Sequence, residues 1–516
     1  MKARATMRDG LKAVPYILLG IRDSLKAVPY IVVGGAMVCA AMAWLLAVGV
    51  RAESSASSLL DAARRGNADT VRAEIGRGAT VRATDADGTT ALHWASYRSD
   101  LGIARMLIDA GADASAANRY GVRPLSLASV TGNAALVELL LKAGADPNTA
   151  KPDGETALMT AARAGAVDAV KALIAKGANA NATEPSRHQT ALMWAAAEGH
   201  ADVVRALVEA GASVKAKTQS GFTPLLFAAR EGRIEAARAL IDAGASLDES
   251  LSVNSRETAG GVAQGQAEAG LNAFLLAASN AHFELASFFL DRGANPNAAP
   301  RGWTALHMVS WVRKMGDVGS NDPPPEGSGN LGSLEFVRKL VAAGGDLKAR
   351  VTVRRLPVGA SELDFNGATP FFLAARTADT DLMRLLIELG ADPRTPTNTS
   401  TTPFLAAAGV GAALPGEEPG TEAEVLDALA MLLESGADIN AVDDRGNTAM
   451  HGAAYKHLPK VATFLADHGA SVAVWNHKNA NGHTPLDIAA GIQRGMNFVF
   501  SPDTEAAIRA ALKRAP

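Results

Sequence analysis

Cysteine is nearly missing from this sequence: the one thiol in 516 residues is Cys39, set inside an apolar run. Everything after it is thiol-free, which excludes disulfides and thiolate metal sites from the bulk of the chain. Aromatic residues make up only 5% of the chain, although hydrophobic residues reach 48%. That balance argues against one thick core and for thin layers of Ala- and Leu-rich helices, with 49 glycines supplying tight turns. The formal net charge of −3 leaves no electrostatic footprint for nucleic acid. Catalytic phrases are missing too. There is no G-x-S-x-G, no Walker sequence, no H-E-x-x-H and no deaminase signature. The glycines of 259–265 and 329–332 lack the strand-to-helix setting of a phosphate loop. No enzyme, cofactor, metal or small-molecule substrate is expected.

The charge is uneven. Residues 1–29 form a basic leader, and residues 1–52 as a whole carry +5, leaving −8 for the rest. From Tyr30 to Val50 the chain is uncharged for 21 residues, the longest apolar run it has. This segment, 30–52, is either a secretory h-region cleaved after Ala52 or a retained anchor long enough to span a bilayer. Leu11–Ile17 and Leu25–Ile31 repeat the same seven residues, which fits a translation start further downstream. Positive flanking charge holds the N-terminus in the cytoplasm under both readings. The expectation is an exported chain, periplasmic in a Gram-negative cell or anchored in the inner membrane, that touches membrane only through this segment.

The remainder, 53–516, is periodic. Gly88, Gly121 and Gly154 recur every 33 residues, and Thr156, Thr190 and Thr223 follow at 34 and 33. The phrase DGTTALHWAS from Asp87 returns as YGVRPLSLAS from Tyr120, DGETALMTAA from Asp153, HQTALMWAAA from His188 and SGFTPLLFAA from Ser220. It resumes from Arg301, Asn366, Arg445 and Asn481. Thr suits an N-cap, Pro the first helical turn, and the Gly of L-x-x-G-A-D a left-handed helix end. The small paired Ala residues let neighbouring helices approach closely. This pattern resembles the ankyrin repeat family. The resemblance implies an all-α solenoid of about eleven helix-turn-helix repeats with β-hairpin fingers. Residues 58–81 read as a degenerate N-terminal cap, needed because one repeat cannot bury its own faces. His93, His307 and His451 stand at the family's signature position, where a histidine bonds within its own turn.

Four insertions break the period, near 249–270, 313–332, 351–365 and 411–421. The first and third belong at the finger edge, the other two at the opposite edge between paired helices. Their composition fits padding and a decorated binding surface equally well.

Family members bind protein or peptide partners through finger tips and the exposed residues of the inner helices. The position after each signature reads Tyr97, Val130, Arg163, Ala197, Arg230, Ser279, Trp311, Arg376, Gly409 and Tyr455 in repeats one to ten. Six of these ten are Tyr, Arg or Trp, the types enriched at binding hot spots. They form an expected ladder along the concave groove, with Tyr120, Phe222 and Trp303 added from the fingers. The expected function is therefore a non-catalytic scaffold holding a protein partner outside the cytoplasm. Two alternatives stay open: a secreted effector acting on host proteins, and a hydrolase site within the insertions.

Overall fold

The computed structural model describes residues 57–251, 270–314, 325, 327–356, 361–412, 419–492 and 500–514. The leader, the apolar segment Tyr30–Val50, Cys39 and Ala52 lie outside the described residues, as do parts of all four insertions. Among the described residues no helix is long and apolar enough to cross a membrane.

The described chain is a stack of eleven helix pairs preceded by a cap made of helical residues 57–65 and the helix Ala68–Gly76. The inner helices begin at Ala91, Pro124, Ala157, Ala191, Pro224, Ala273, Ala305, Pro370, Pro403, Ala449 and Pro485. They define repeats 1 to 11. Each is followed by an outer helix, from Leu101–Asp109 in repeat 1 to Pro502–Lys513 in repeat 11. One short helix, Val472–Trp475, sits between repeats 10 and 11 and has no counterpart in the periodic pattern.

The cap chemistry read from the sequence is present. The side chain of Thr156 accepts from Met159 N–H, that of Thr223 from Leu226 N–H, and that of Thr369 from Phe372 N–H. The paired alanines, such as Ala161–Ala162 and Ala195–Ala196, are fully buried between neighbouring inner helices. Successive inner helices pack on one another, and so do successive outer helices except Ser333–Ala342 and Thr380–Glu388, which are joined by the Arg338–Glu388 pair, so the core runs the length of the stack. The fingers are simpler than the expected hairpins. Among the described residues they close through single antiparallel bridges, such as Thr84 to Thr90 and Ala150 to Thr156, and form no extended strand. Each finger is a tight turn only a few residues long, too short for a ladder. Gly154 shows how tight these are: its φ is +84°, and a Cβ there would stand 2.1 Å from Pro185 of the next finger.

Polar staples hold the repeats in register. Asn148 Nδ2 donates to Gly177 O at 2.9 Å, while Asn148 Oδ1 accepts from Asn179 N–H at 2.8 Å. Asn181 and Asn297 repeat the arrangement on Gly211 and Gly344. The signature histidines do the same on the finger side. His93 Nδ1 accepts from Thr90 N–H at 3.1 Å, and its Nε2 lies 3.0 Å from Val122 O in the next repeat. His307 and His451 reach Ala368 O and His477 O in the same way. A backbone N–H can only donate, so each of these rings is neutral with its proton on Nε2.

Candidate protein-binding surface

The inner-helix row divides into an open part and a covered part. Tyr97 is 63% exposed and Val130 58%, and Arg163 is exposed as well. These three occupy the same position in repeats 1, 2 and 3, spaced by one helix-packing distance, about 10 Å. Trp94 supports Tyr97 edge-on at 6.2 Å, and the guanidinium of Arg64 caps the Trp94 ring at 4.5 Å. Arg163 lies 5.1 Å over the ring of Trp194 and pairs with Glu155 at 3.3 Å. Arg230 in repeat 5 is half-buried, laid over Phe222 and Phe227 and paired with Glu231. Its stem and head are occupied by its own repeat.

From repeat 7 onward the expected ladder does not exist. Arg376 is only 7% exposed, and its guanidinium sits 5.4 Å from the ring of buried Phe365. Trp311 is half-buried and meets Trp303 edge-on at 6.2 Å. Tyr455 is half-buried, its phenol oxygen accepting from Asn479 Nδ2 at 2.8 Å. Trp311 is covered by its own finger, while Arg376 and Tyr455 have the third insertion as their neighbour. Instead of remaining at the finger edge, that insertion crosses the inner face: Ser361 forms an antiparallel bridge with Ala412, and Glu362 N–H donates to Gly411 O at 3.0 Å. Residues 351–356 and 361–365 therefore strap the groove from the fingers of repeat 8 to the end of the inner helix in repeat 9.

The finger residues divide by parity. Tyr120 precedes its turn glycine and is 58% exposed, with Arg119 stacked on it at 5.3 Å. Phe222 and Trp303 follow theirs and are buried. The residue after the turn glycine stands directly before the Thr cap, and its side chain faces the core, as Ala368 and Asn447 also do. That position was readable in the sequence, so Phe222 and Trp303 were separable from Tyr120 there.

The opposite edge is stapled too. The return limb of the second insertion folds back over repeats 5 and 6, where Ser328 N–H donates to His282 Nδ1 at 3.0 Å and Ser328 Oγ to Gly232 O at 2.9 Å. Asn330 N–H reaches Glu284 at 2.7 Å. Arg313, at the end of the repeat 7 inner helix, makes a two-pronged pair with Asp379 at 2.6 and 3.0 Å. Lys314 Nζ pairs with Glu424 at 2.7 Å, and that lysine together with the Thr421 cap holds the Glu424 carboxyl down to about 2.

Among the described residues no group of three or more His, Cys, Asp or Glu side chains stands at metal-ligand spacing. The perturbed histidines serve the stack. Burial pushes His307 and His451 down to about 4, and His93 and His282 in the same direction.

A stapled stack of helix pairs with an open inner face is a repeat scaffold for protein interaction. A profile of ankyrin repeats in three copies matches residues 59–151, 158–251 and 421–505. Related ankyrin profiles match 274–317 and 366–398. The chain belongs to the ankyrin repeat family. It is 36% identical over 121 residues to mouse ankyrin repeat and SOCS box protein 16, covering 23% of this chain and 25% of that protein. It is 35% identical over 147 residues to neurogenic locus notch homolog protein 1 of Cricetulus griseus and of mouse, covering 24% of this chain and 6% of theirs. The chain thus spans a quarter or less of the length of these relatives, and the likeness is one of repeats.

Proposed function

We propose that repeats 1 to 3 are the working face of a non-catalytic scaffold, which holds an extended segment of a protein partner outside the cytoplasm. One observation carries this reading: Tyr97, Tyr120 and Val130, all more than half exposed, lie in two adjacent repeats on the finger and inner-helix side. Exposed tyrosines backed by packed neighbours lose little side-chain entropy on binding, which makes them effective anchors. The half-buried Trp94 and Trp194, each under an arginine, extend the same face with stiff aromatic surface. The second half of the row is covered, so the partner segment is expected to be short. The export reading rests on the basic leader and the Tyr30–Val50 run, by which the array is released after Ala52 or held at the membrane.

The test is capture of the partner by the tagged full-length chain from intact cells, followed by mass spectrometry. Changing Tyr97 and Tyr120 together to Ala is expected to reduce recovery of the partner at least about tenfold, the size of two hot-spot losses. Their exposure means that melting should be unchanged. Undiminished recovery would overturn the assignment of this face. Protease accessibility of the array in spheroplasts, against lysed cells, checks the export.

A further inference from the structure

The strap that closes the second half of the groove also builds a cavity, and its walls are rich in unspent hydrogen-bond donors. The first limb is fixed at the finger edge, where Val351 N–H donates to Ala368 O at 2.8 Å and Thr352 N–H to Gly302 O at 2.9 Å. The second limb is fixed on the inner face at Gly411 and Ala412. Between the limbs and the inner face of repeats 10 and 11 lies a space of about 460 Å³, lined among others by Arg354, Arg355, Glu362, Arg445, Tyr455 and Asn481. That is the size of a site for a small ligand.

The donors can be assigned one by one. Asn479 Oδ1 accepts from Asn481 N–H at 3.0 Å and from His483 N–H at 3.3 Å, which fixes the amide. Its Nδ2 therefore faces Tyr455 and donates to the phenol oxygen. Tyr455 is an acceptor in that bond, so its own hydrogen is left for something in the cavity. Arg355 makes no hydrogen bond or ion pair among the described residues. Arg354 has one loose partner, Asp364 at 3.7 Å. Arg445 gives one N–H to Asn481 at 3.1 Å and a long one to Glu362 O at 3.5 Å, and keeps the rest of its fork.

The acidic groups do not cancel this. Asp443 is used up within its own finger by Arg445 N–H at 3.0 Å and by Asn447 N–H and Nδ2 at 2.7 and 3.1 Å. Asp364 accepts from Asn366 N–H at 3.0 Å and faces Arg354. With Arg354 set against Asp364, Glu362 is the carboxylate left over, against the guanidinium groups of Arg355 and Arg445 and a phenol hydrogen. Planar guanidinium forks match carboxylate and phosphate oxygens in pairs.

We propose that this cavity binds an oxyanion, a multivalent carboxylate or phosphate, held between Arg355, Arg445 and the Tyr455 hydroxyl. Glu362 then receives a hydroxyl or ammonium group of the same ligand. The site is independent of the partner face in repeats 1 to 3.

Isothermal titration calorimetry of the full-length chain with citrate and with pyrophosphate, at constant ionic strength, tests it. Saturable one-to-one binding of either probe is expected, citrate alone marking a carboxylate site and pyrophosphate alone a phosphate site. Arg355→Ala and Arg445→Ala should each weaken binding about tenfold or more, and Tyr455→Phe by a few-fold, the worth of charged and neutral hydrogen bonds. Arg355 has no partner to lose, so its variant should keep the wild-type melt. Arg205→Ala, on the outer helix of repeat 4, serves as the control and should bind as the parent does. Absence of saturable heat with both probes, or retention of the parent affinity in the Arg355→Ala and Arg445→Ala variants, overturns the proposal.

Discussion

Leu363 lies directly against Gly411: a Cβ on Gly411 would stand 2.2 Å from Leu363 Cγ and 2.7 Å from its Cδ2. The glycine has φ +85° and lies in the turn that follows the inner helix of repeat 9, while Leu363 is the buried foot of the strap. A bare backbone is needed here for contact as well as for conformation. Gly411→Val should therefore unseat residues 361–363 and expose Leu363, at a cost of about 2 kcal/mol for the lost burial. Gly211→Val is the matched control, since Gly211 has φ +83° with nothing within 4 Å of its Cβ position. Limited trypsin digestion should cut faster after Arg354 and Arg355 in the Gly411 variant than in the Gly211 variant. Equal cutting rates would mean that the strap is not held by this contact.

The finger-side histidines set an acid limit on the stack. His307 and His451 are buried neutral at about 4, against an unfolded value near 6.5. Their contribution is complete above the unfolded value and is lost as pH falls from there through the folded value. Each proton taken up by the unfolded chain alone costs about 1.4 kcal/mol per pH unit, so each histidine removes about 3 kcal/mol across the window. Urea midpoints measured between pH 7 and 4 should fall steeply, and His307→Gln should start lower but fall less steeply. A variant with the same slope as the parent would show that another group titrates.

The repeats, their caps and their number were legible because each is a local device: Thr156 caps a helix three residues away, and the phrase around it recurs. The exposure of the open half of the inner-helix row was legible for the same reason, since Tyr97 and Val130 each owe it to their place on their own helix. The covered half was not. Nothing local to Arg376 or Tyr455 announces Phe365 or the far end of the strap, because the contact of Leu363 with Gly411 joins residues on different repeats. The loop composition of 351–365 signals irregular chain and says nothing of where it lands. Phe222 and Trp303 were a different failure. Their position before the Thr cap carried the signal, and reading them by residue type obscured it.

The pair between Arg313 and Asp379 joins repeat 7 to repeat 8 at a point where the period is broken by an insertion. Asp379 is nearly fully buried, caps the outer helix of repeat 8 through Leu382 N–H at 3.2 Å, and takes both prongs of the guanidinium. Asp379→Asn keeps a capping oxygen and removes the charge, leaving Arg313 half-buried beside a neutral amide. Stranding one member of a buried pair costs about 3 kcal/mol. In a repeat stack, stability is a sum of repeat and interface terms, so the loss falls on one interface. Urea unfolding of the Asn variant should separate into two transitions, with repeats on the two sides of the junction melting apart. Adding Arg313→Met removes the stranded charge and should restore part of the lost cooperativity. A double variant no more cooperative than Asp379→Asn would mean that the weakness came from the cap and not from the unpaired arginine.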